Sequence, residues 1–360
     1  MSSLARRNII NITPYSAGKP IDEARKELNL KSVIKLASNE NPLSPSPKAL
    51  RAINKAIAGI NRYPDSQGIC LKKKIASYYN IPFSGVVLGN GSDELIDIVI
   101  KAFVEDDENI ITSDITFVEY EIISKVLNRK VITVPLRYFK YDLDGIHRRI
   151  DKKTKLIFIA NPNNPTGTYV TKGEVDDFLK ALPKGVILVM DEAYDAFIDT
   201  DDFPRSLKLI NNGNVIVLKT FSKAYGLAGL RVGYALTCPE LAVSMEQVRQ
   251  PFNVNLLAQV GAAAALDDVD FLRKTRKVIL EGKEYLYDEL KELGVAYVPS
   301  VANFILIDVG KPGTVLFKEM LKYGVIIRDM KQYGLNNFIR VTIGTKKENI
   351  KFIKILKKVL

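Results

Sequence analysis

Seven short apolar runs punctuate the middle of the chain: Val86 to Leu88, Ile110 to Thr112, Val131 to Val134, Leu156 to Ile159, Val186 to Met190, Val215 to Leu218 and Val232 to Leu236. Each ends in a turn or a polar cluster, and amphipathic helical stretches separate several of them. Continuous apolar runs of this length read as strands buried on both faces. Their alternation with helices predicts an α/β fold whose mainly parallel seven-stranded sheet is covered by helices. Ligands of such sheets bind beyond the carboxyl ends of the strands, so the residues just after each run carry the interest. Near the end of the chain, Ile350, Phe352, Ile353, Ile355 and Leu356 fall among lysines from Lys346 to Lys358. That spacing predicts an amphipathic surface helix.

Composition narrows the class of protein. The 360 residues exceed the usual size of one domain, which favours a large and a small domain. A hydrophobic share of 47% and a charged share of 26% match an ordinary globular protein without repeats or low-complexity tracts. The formal charge of +11 raises the question of nucleic acid. Much of the excess sits on helix-like stretches such as 346–358, where lysines read as a solvated face, and a basic enzyme also suits anionic substrates. No nucleic-acid motif is present, and no nucleic-acid partner is expected. The N-terminus lacks an apolar signal core, and the longest uncharged stretch, Gln250 to Leu266, is broken by Pro251, Asn253, Asn255 and Gln259. The expectation is a cytoplasmic protein with no membrane span. Two cysteines, Cys70 and Cys238, can build neither a disulfide framework nor a thiolate metal site. A histidine triad or histidine-ligated zinc would have to rest on His147, the only histidine, so no metal is expected. Lysine, tyrosine, arginine and carboxylates must then do the chemistry, with an organic cofactor supplying the hard steps.

The clusters after the runs hold such residues. Gly89-Asn90-Gly91-Ser92-Asp93-Glu94 precedes an apolar helix pattern. A strand, glycine turn and helix start suit a phosphate, but a plain turn capped by Ser92 or Asp93 explains the pattern equally well. Asn161-Pro162-Asn163-Asn164-Pro165-Thr166-Gly167 makes a rigid turn that holds amide side chains at the sheet edge. Asp191 ends a buried run, so it is either a structural cap or the partner of a buried positive group. Thr220-Phe221-Ser222-Lys223 sets a lysine among hydroxyls and small residues with Arg231 eight positions on, which suits a Schiff-base lysine beside a bound phosphate.

Taken in order, these segments make the chain resemble the fold-type I pyridoxal-phosphate (PLP) aminotransferases, most closely the subgroup acting on histidinol phosphate. The likeness runs nearly end to end. It includes Pro14-Tyr15, Leu36 to Pro42, Asn61-Arg62-Tyr63-Pro64-Asp65, the Asn-Pro-Thr-Gly turn, Thr220 to Gly229, Pro251 to Asn255, Ile327-Arg328-Asp329 and Ile339 to Gly344. The resemblance implies a large PLP-binding domain over about 45–260 and a small α+β domain built from both chain ends, 1–44 and 261–360. It implies that Lys223 carries the cofactor as an imine and moves the proton, that Asp191 faces the pyridine nitrogen, and that Asn164 and Tyr194 hydrogen-bond the phenolic oxygen. Gly91, Ser92, Asp93, Thr220, Ser222 and Arg231 would hold the cofactor phosphate. Phe117 stands where the family stacks an aromatic ring on the pyridine; many relatives have tyrosine there, so the stacking carries over and a phenol contact does not. Tyr63 would reach the site of the partner subunit in a homodimer. Arg328 and Arg340 would surround the substrate's anionic group, with Tyr15 and Asn39 on the small-domain side.

The implied reaction is exchange of an amino group between the histidinol-phosphate pair and the glutamate/2-oxoglutarate pair, a step of histidine biosynthesis. Two alternatives keep the fold: an aromatic amino acid aminotransferase or a threonine-phosphate decarboxylase. A third, a basic binding protein or dinucleotide enzyme, has against it a glycine turn that does not fit the dinucleotide fingerprint.

Overall fold

The computed structural model describes residues 4–10, 12–14, 20–30, 32–204 and 206–360. All seven apolar runs are strands of one sheet: β1 Val86–Gly89, β2 Asn109–Ser113, β3 Lys130–Val134, β4 Thr154–Ala160, β5 Ile187–Asp191, β6 Val215–Thr220 and β7 Gly233–Leu236. Their order is β1-β7-β6-β5-β4-β2-β3. Only β7 runs against its neighbours, pairing antiparallel with both β1 and β6. The remaining contacts are parallel. The central strands β4, β5 and β6 are buried almost throughout, as continuous apolar runs require, whereas β3 at the edge is half exposed. Because β4, β5 and β6 are adjacent and point the same way, the clusters that follow them, Asn161–Asn164, Asp191–Tyr194 and Ser222–Lys223, emerge side by side.

A second sheet carries a second core. Its strands are β8 Tyr297–Val298, β9 Phe304–Asp308, β10 Arg328–Asp329 and β11 Phe338–Thr342, in the order β10-β11-β9-β8 and antiparallel throughout. Phe304, Ile305, Ile339 and Val341 from these strands pack with Ile279 and Leu286 of the helix Val269–Glu292 and with Phe352 and Leu356 of the helix Lys346–Val359. Each such buried side chain contributes roughly 1.5–3 kcal/mol. The expected C-terminal amphipathic helix is therefore present. Thr345 caps it through Glu348 N–H, and its buried stripe is Phe352, Ile353 and Leu356. Ile350 stays 44% exposed, so the apolar stripe is narrower than the sequence pattern suggests.

The early chain joins this second unit. Ile34–Lys35 pairs in parallel with Val325–Ile326, and Leu36 is buried in the second core. Tyr194, Phe197 and Ala224, from the loops beyond β5 and β6, also pack into that core. The strand-end loops are thus clamped between the two apolar clusters. No helix among the described residues is long and apolar enough to cross a membrane.

Candidate active site

A cavity of about 410 Å³ lies over the carboxyl ends of β4, β5 and β6, with residues of β10 and β11 on its other side. Thirteen of the residues singled out from the sequence line it: Asn39, Ser92, Asp93, Phe117, Asn164, Asp191, Tyr194, Thr220, Ser222, Lys223, Arg231, Arg328 and Arg340. They come from segments spread over some 300 positions, and the fold is what gathers them.

The end of β5 supplies the buried acid. Asp191 is 6% exposed, and each oxygen accepts one hydrogen bond: Oδ2 from Tyr120 Oη at 2.8 Å and Oδ1 from Ala193 N–H at 3.1 Å. Among the described residues no lysine or arginine forms an ion pair with it. Burial pushes its carboxyl up to about 6, with the charges of Asp93 and Glu192 adding to the rise and the two hydrogen bonds opposing it. This carboxylate is therefore no ordinary cap. Its surroundings favour a cationic ligand in the cavity.

Tyr194 stands beside it, its Oη accepting a bond from Asn39 Nδ2 at 3.1 Å. Burial raises the phenol above its usual range, although Arg340 and Asn39 work the other way. Lys223, in the loop after β6, donates from Nζ to Ser38 O at 3.3 Å and lies 5.7 Å above the Tyr194 ring. Four residues earlier, Lys219 turns away from these groups. Its Nζ is buried against Glu192 Oε2 at 2.7 Å and against Asp195. Burial opposes its charge, but the carboxylates of Asp195 and Glu192 more than offset this and hold the ammonium protonated far above the usual range.

The turn after β1 makes the opposite corner. Gly91, at φ +83°, is the N-cap of the helix Ser92–Phe103, and no side chain caps that end. Capping by Ser92 or Asp93 is therefore not what this turn is built for. A Cβ on Gly91 would lie 2.5 Å from Arg231 Nη2, so the glycine lets the guanidinium close over the helix start. Arg231 also donates to Asp93 Oδ2 at 2.9 Å. Ser222 N–H donates to Thr220 Oγ1 at 3.0 Å on the same side. A helix start without a side-chain cap, an arginine and two hydroxyls form a cradle for a dianionic group. The Asp93 carboxylate would repel such a group, which leaves its backbone N–H as the donor.

The Asn-Pro turn is held rigidly, with both X–Pro bonds cis. Asn163 Nδ2 donates to Ile115 O and Thr166 Oγ1, each at 3.0 Å, and Asn161 exchanges bonds with Val170. Asn164 Oδ1, facing the cavity, accepts from Arg340 Nη1. Arg340 Nη2 donates to Ala37 O at 2.8 Å, and the guanidinium lies 5.3 Å from the centre of the Phe304 ring. Its buried Nε lacks a hydrogen-bond partner among the described residues. Arg328 is the direct cross-strand partner of Arg340, and both are buried. Arg328 Nη2 donates to Gln332 Oε1 at 3.0 Å. Like charges opposite one another on paired strands are destabilising, and here the pair is kept out of water. Such an arrangement fits an anionic ligand carrying several acceptor oxygens.

Among the described residues, two of those singled out, Gly91 and Tyr63, do not line the cavity. Tyr15 falls outside the described residues. Tyr63 is 81% exposed and stacks on Phe252 at 4.6 Å, outside the cavity of its own chain. His147 is exposed on the short helix Leu143–Arg149. Sequence reasoning missed Ser38, Glu119, Tyr120 and Tyr333 as lining residues. For Tyr120 a signal existed: it follows Phe117 by three positions, the spacing that places two side chains on one helical face.

Comparison with known proteins agrees with this geometry. The family model for aminotransferase class I and II matches residues 31–356. A histidinol-phosphate aminotransferase of Moorella thermoacetica is 45% identical over 99% of this chain and 92% of its own length. One from Desulfotalea psychrophila is 47% identical over 97% of this chain and 93% of its own length. Among solved structures, histidinol-phosphate aminotransferase from Sinorhizobium meliloti in complex with pyridoxal-5'-phosphate superposes with a TM-score of 0.90 over the whole of both chains, at 27% identity.

Proposed function

We propose that this chain, which belongs to the aminotransferase class I and II family, transfers the amino group of L-histidinol phosphate to 2-oxoglutarate. The products are imidazole-acetol phosphate and L-glutamate, and pyridoxal phosphate is the cofactor. The observation that carries the substrate assignment is the buried, face-to-face pair Arg328 and Arg340. One guanidinium suffices for the α-carboxylate of an ordinary amino acid. Two suit the phosphate ester that histidinol phosphate carries in its place.

The residues present fit the cofactor. The buried Asp191 carboxylate meets only neutral donors, which suits a protonated ring nitrogen, and the Ser92, Thr220, Ser222 and Arg231 cradle suits its phosphate. When bound, pyridoxal phosphate supplies an electron sink for the charge left on the substrate carbon. Lys223 Nζ, beside Tyr194 in the cavity, would hold the cofactor and would serve as the base that takes up and returns the proton of the substrate carbon. Asp191 would keep the cofactor's ring nitrogen protonated. Asn164 and Tyr194 would donate to the cofactor's phenolic oxygen, with Asn39 Nδ2 holding the Tyr194 hydroxyl from the small-domain side. Phe117, which lines the cavity, would stack on the ring.

The same reading makes the active unit a two-fold dimer, in which the exposed Tyr63 reaches the partner subunit's site. It divides the chain into a large domain of about 45–260 and a small domain of 1–44 and 261–360, a division supported by the two apolar cores. Its place is the cytoplasm, to which the free Cys70 and Cys238 are suited.

A side-by-side assay of histidinol phosphate, histidinol, phenylalanine, tyrosine and threonine phosphate tests the assignment. Histidinol phosphate should be transaminated far faster than the others. If tyrosine or phenylalanine outruns it, or carbon dioxide is released from threonine phosphate, the substrate assignment is wrong.

A further inference from the structure

Tyr120 lines the cavity without reaching bulk solvent and is tied directly to the buried acid. It is fully buried on the helix Glu119–Val126. Its ring stacks on Phe158 of β4, with centroids 4.8 Å apart and planes 10° apart, and meets Phe117 edge-on at 5.7 Å. These contacts on two sides fix the ring plane and therefore the direction of its hydroxyl. Along that direction, Oη donates to Asp191 Oδ2 at 2.8 Å.

We propose that Tyr120 is the positioning residue of Asp191: its hydroxyl fixes the carboxylate's orientation and lowers its appetite for a proton, so that the proton stays on the cofactor ring nitrogen. This rests on the function proposed above. The donor set explains the effect. Burial and the neighbouring carboxylates of Asp93 and Glu192 all make Asp191 more basic, and the Tyr120 hydroxyl, followed by the Ala193 N–H, opposes them. A more basic carboxylate would pull the shared proton onto itself and weaken the electron sink. The hydroxyl is a dependable donor because burial, first, and then the Asp191 charge raise it well above the usual phenol range. The other ionisable groups facing this pair, Tyr141 and Tyr194, are also raised by burial and stay neutral. Phe117 shares the arrangement, since the ring expected to stack on the cofactor is the one that braces Tyr120.

Tyr120→Phe tests this while keeping the ring stack. In the holoenzyme with histidinol phosphate and 2-oxoglutarate, kcat should fall by roughly tenfold to a hundredfold with KM little changed. In an Asp191→Asn background, followed as a single half-reaction, the same substitution should change the rate less than about twofold, because two residues acting through one contact are not additive. In the apoprotein, the Asp191 carboxyl followed by 13C NMR should titrate about one pH unit higher in Tyr120→Phe than in the wild type. Unchanged kcat, a full loss that persists beside Asp191→Asn, or an unmoved Asp191 titration each overturns the proposal. A wild-type protein that transaminates nothing would instead overturn the function on which it rests.

Discussion

Asp191 and Glu192 are neighbours in the chain, both carboxylates and both almost fully buried, yet they live in opposite chemistry. Alternation at the end of β5 sends them to different sides of the sheet. Glu192 meets the ammonium of Lys219, which Asp195 also binds. Asp191 meets a phenol and an amide beside a cavity. A buried charge is costly unless it is compensated. Where the compensation lies within the chain, the carboxylate serves the fold; where the fold leaves it to neutral donors at a cavity wall, it serves a ligand. The two lysines obey the same division, with Lys219 locked in the ion cluster and Lys223 beside Tyr194 in the cavity.

The largest expected effect separates those lysines. Lys223→Ala should abolish the visible absorbance of the protein and reduce transamination roughly a thousandfold or more. A yellow, borohydride-reducible variant that still turns over would erase the distinction. Lys219→Met should do the converse. Stripping the ammonium from Glu192 and Asp195 should cost about 3–5 kcal/mol in urea denaturation, while cofactor absorbance at saturating pyridoxal phosphate persists.

Much of this was legible in the sequence, because the evidence was local. Continuous apolar runs identify buried strands without knowledge of their partners, so all seven strands of the main sheet were anticipated. Asn164, Asp191 and Lys223 each follow such a run, and their positions at the sheet edge follow from that alone. Pairings between distant segments were not legible. Nothing near Lys219 distinguishes it from Lys223 until Glu192, 27 residues away, is seen against it. Tyr120 acts across 71 residues, and the facing of Arg328 and Arg340 depends on the register of two short strands. The role of the turn at Gly91 was undecided for the same reason, since Arg231 lies far along the chain.

The acid itself offers a sharper contrast in the apoprotein. Its folded-state carboxyl is raised from 3.8 to about 6. The native state therefore retains a proton that the unfolded state has lost, and stability present below about pH 4 is lost as pH rises through about 6. Relative to Asp191→Asn, the wild-type apoprotein should lose roughly 3 kcal/mol over that window, at 1.36 kcal/mol per pH unit. Equal pH profiles for the two would mean that Asp191 is not strained by burial. A smaller effect concerns the substrate side. Arg328→Ala should lower kcat/KM for histidinol phosphate about tenfold to somewhat over a hundredfold, equivalent to roughly 1.5–3 kcal/mol, and change little for substrates without a phosphate.

The most direct test sets the adjacent carboxylates side by side in the holoenzyme, measuring kcat, KM and urea stability for Asp191→Asn and Glu192→Gln. Asp191→Asn should lower kcat roughly a hundredfold or more at nearly unchanged KM and without loss of stability. Glu192→Gln should keep kcat and lose about 1–3 kcal/mol of stability. If Asp191→Asn merely raises KM or unfolds the protein, or if Glu192→Gln proves the more damaging to turnover, the two carboxylates do not divide fold from function as their surroundings imply.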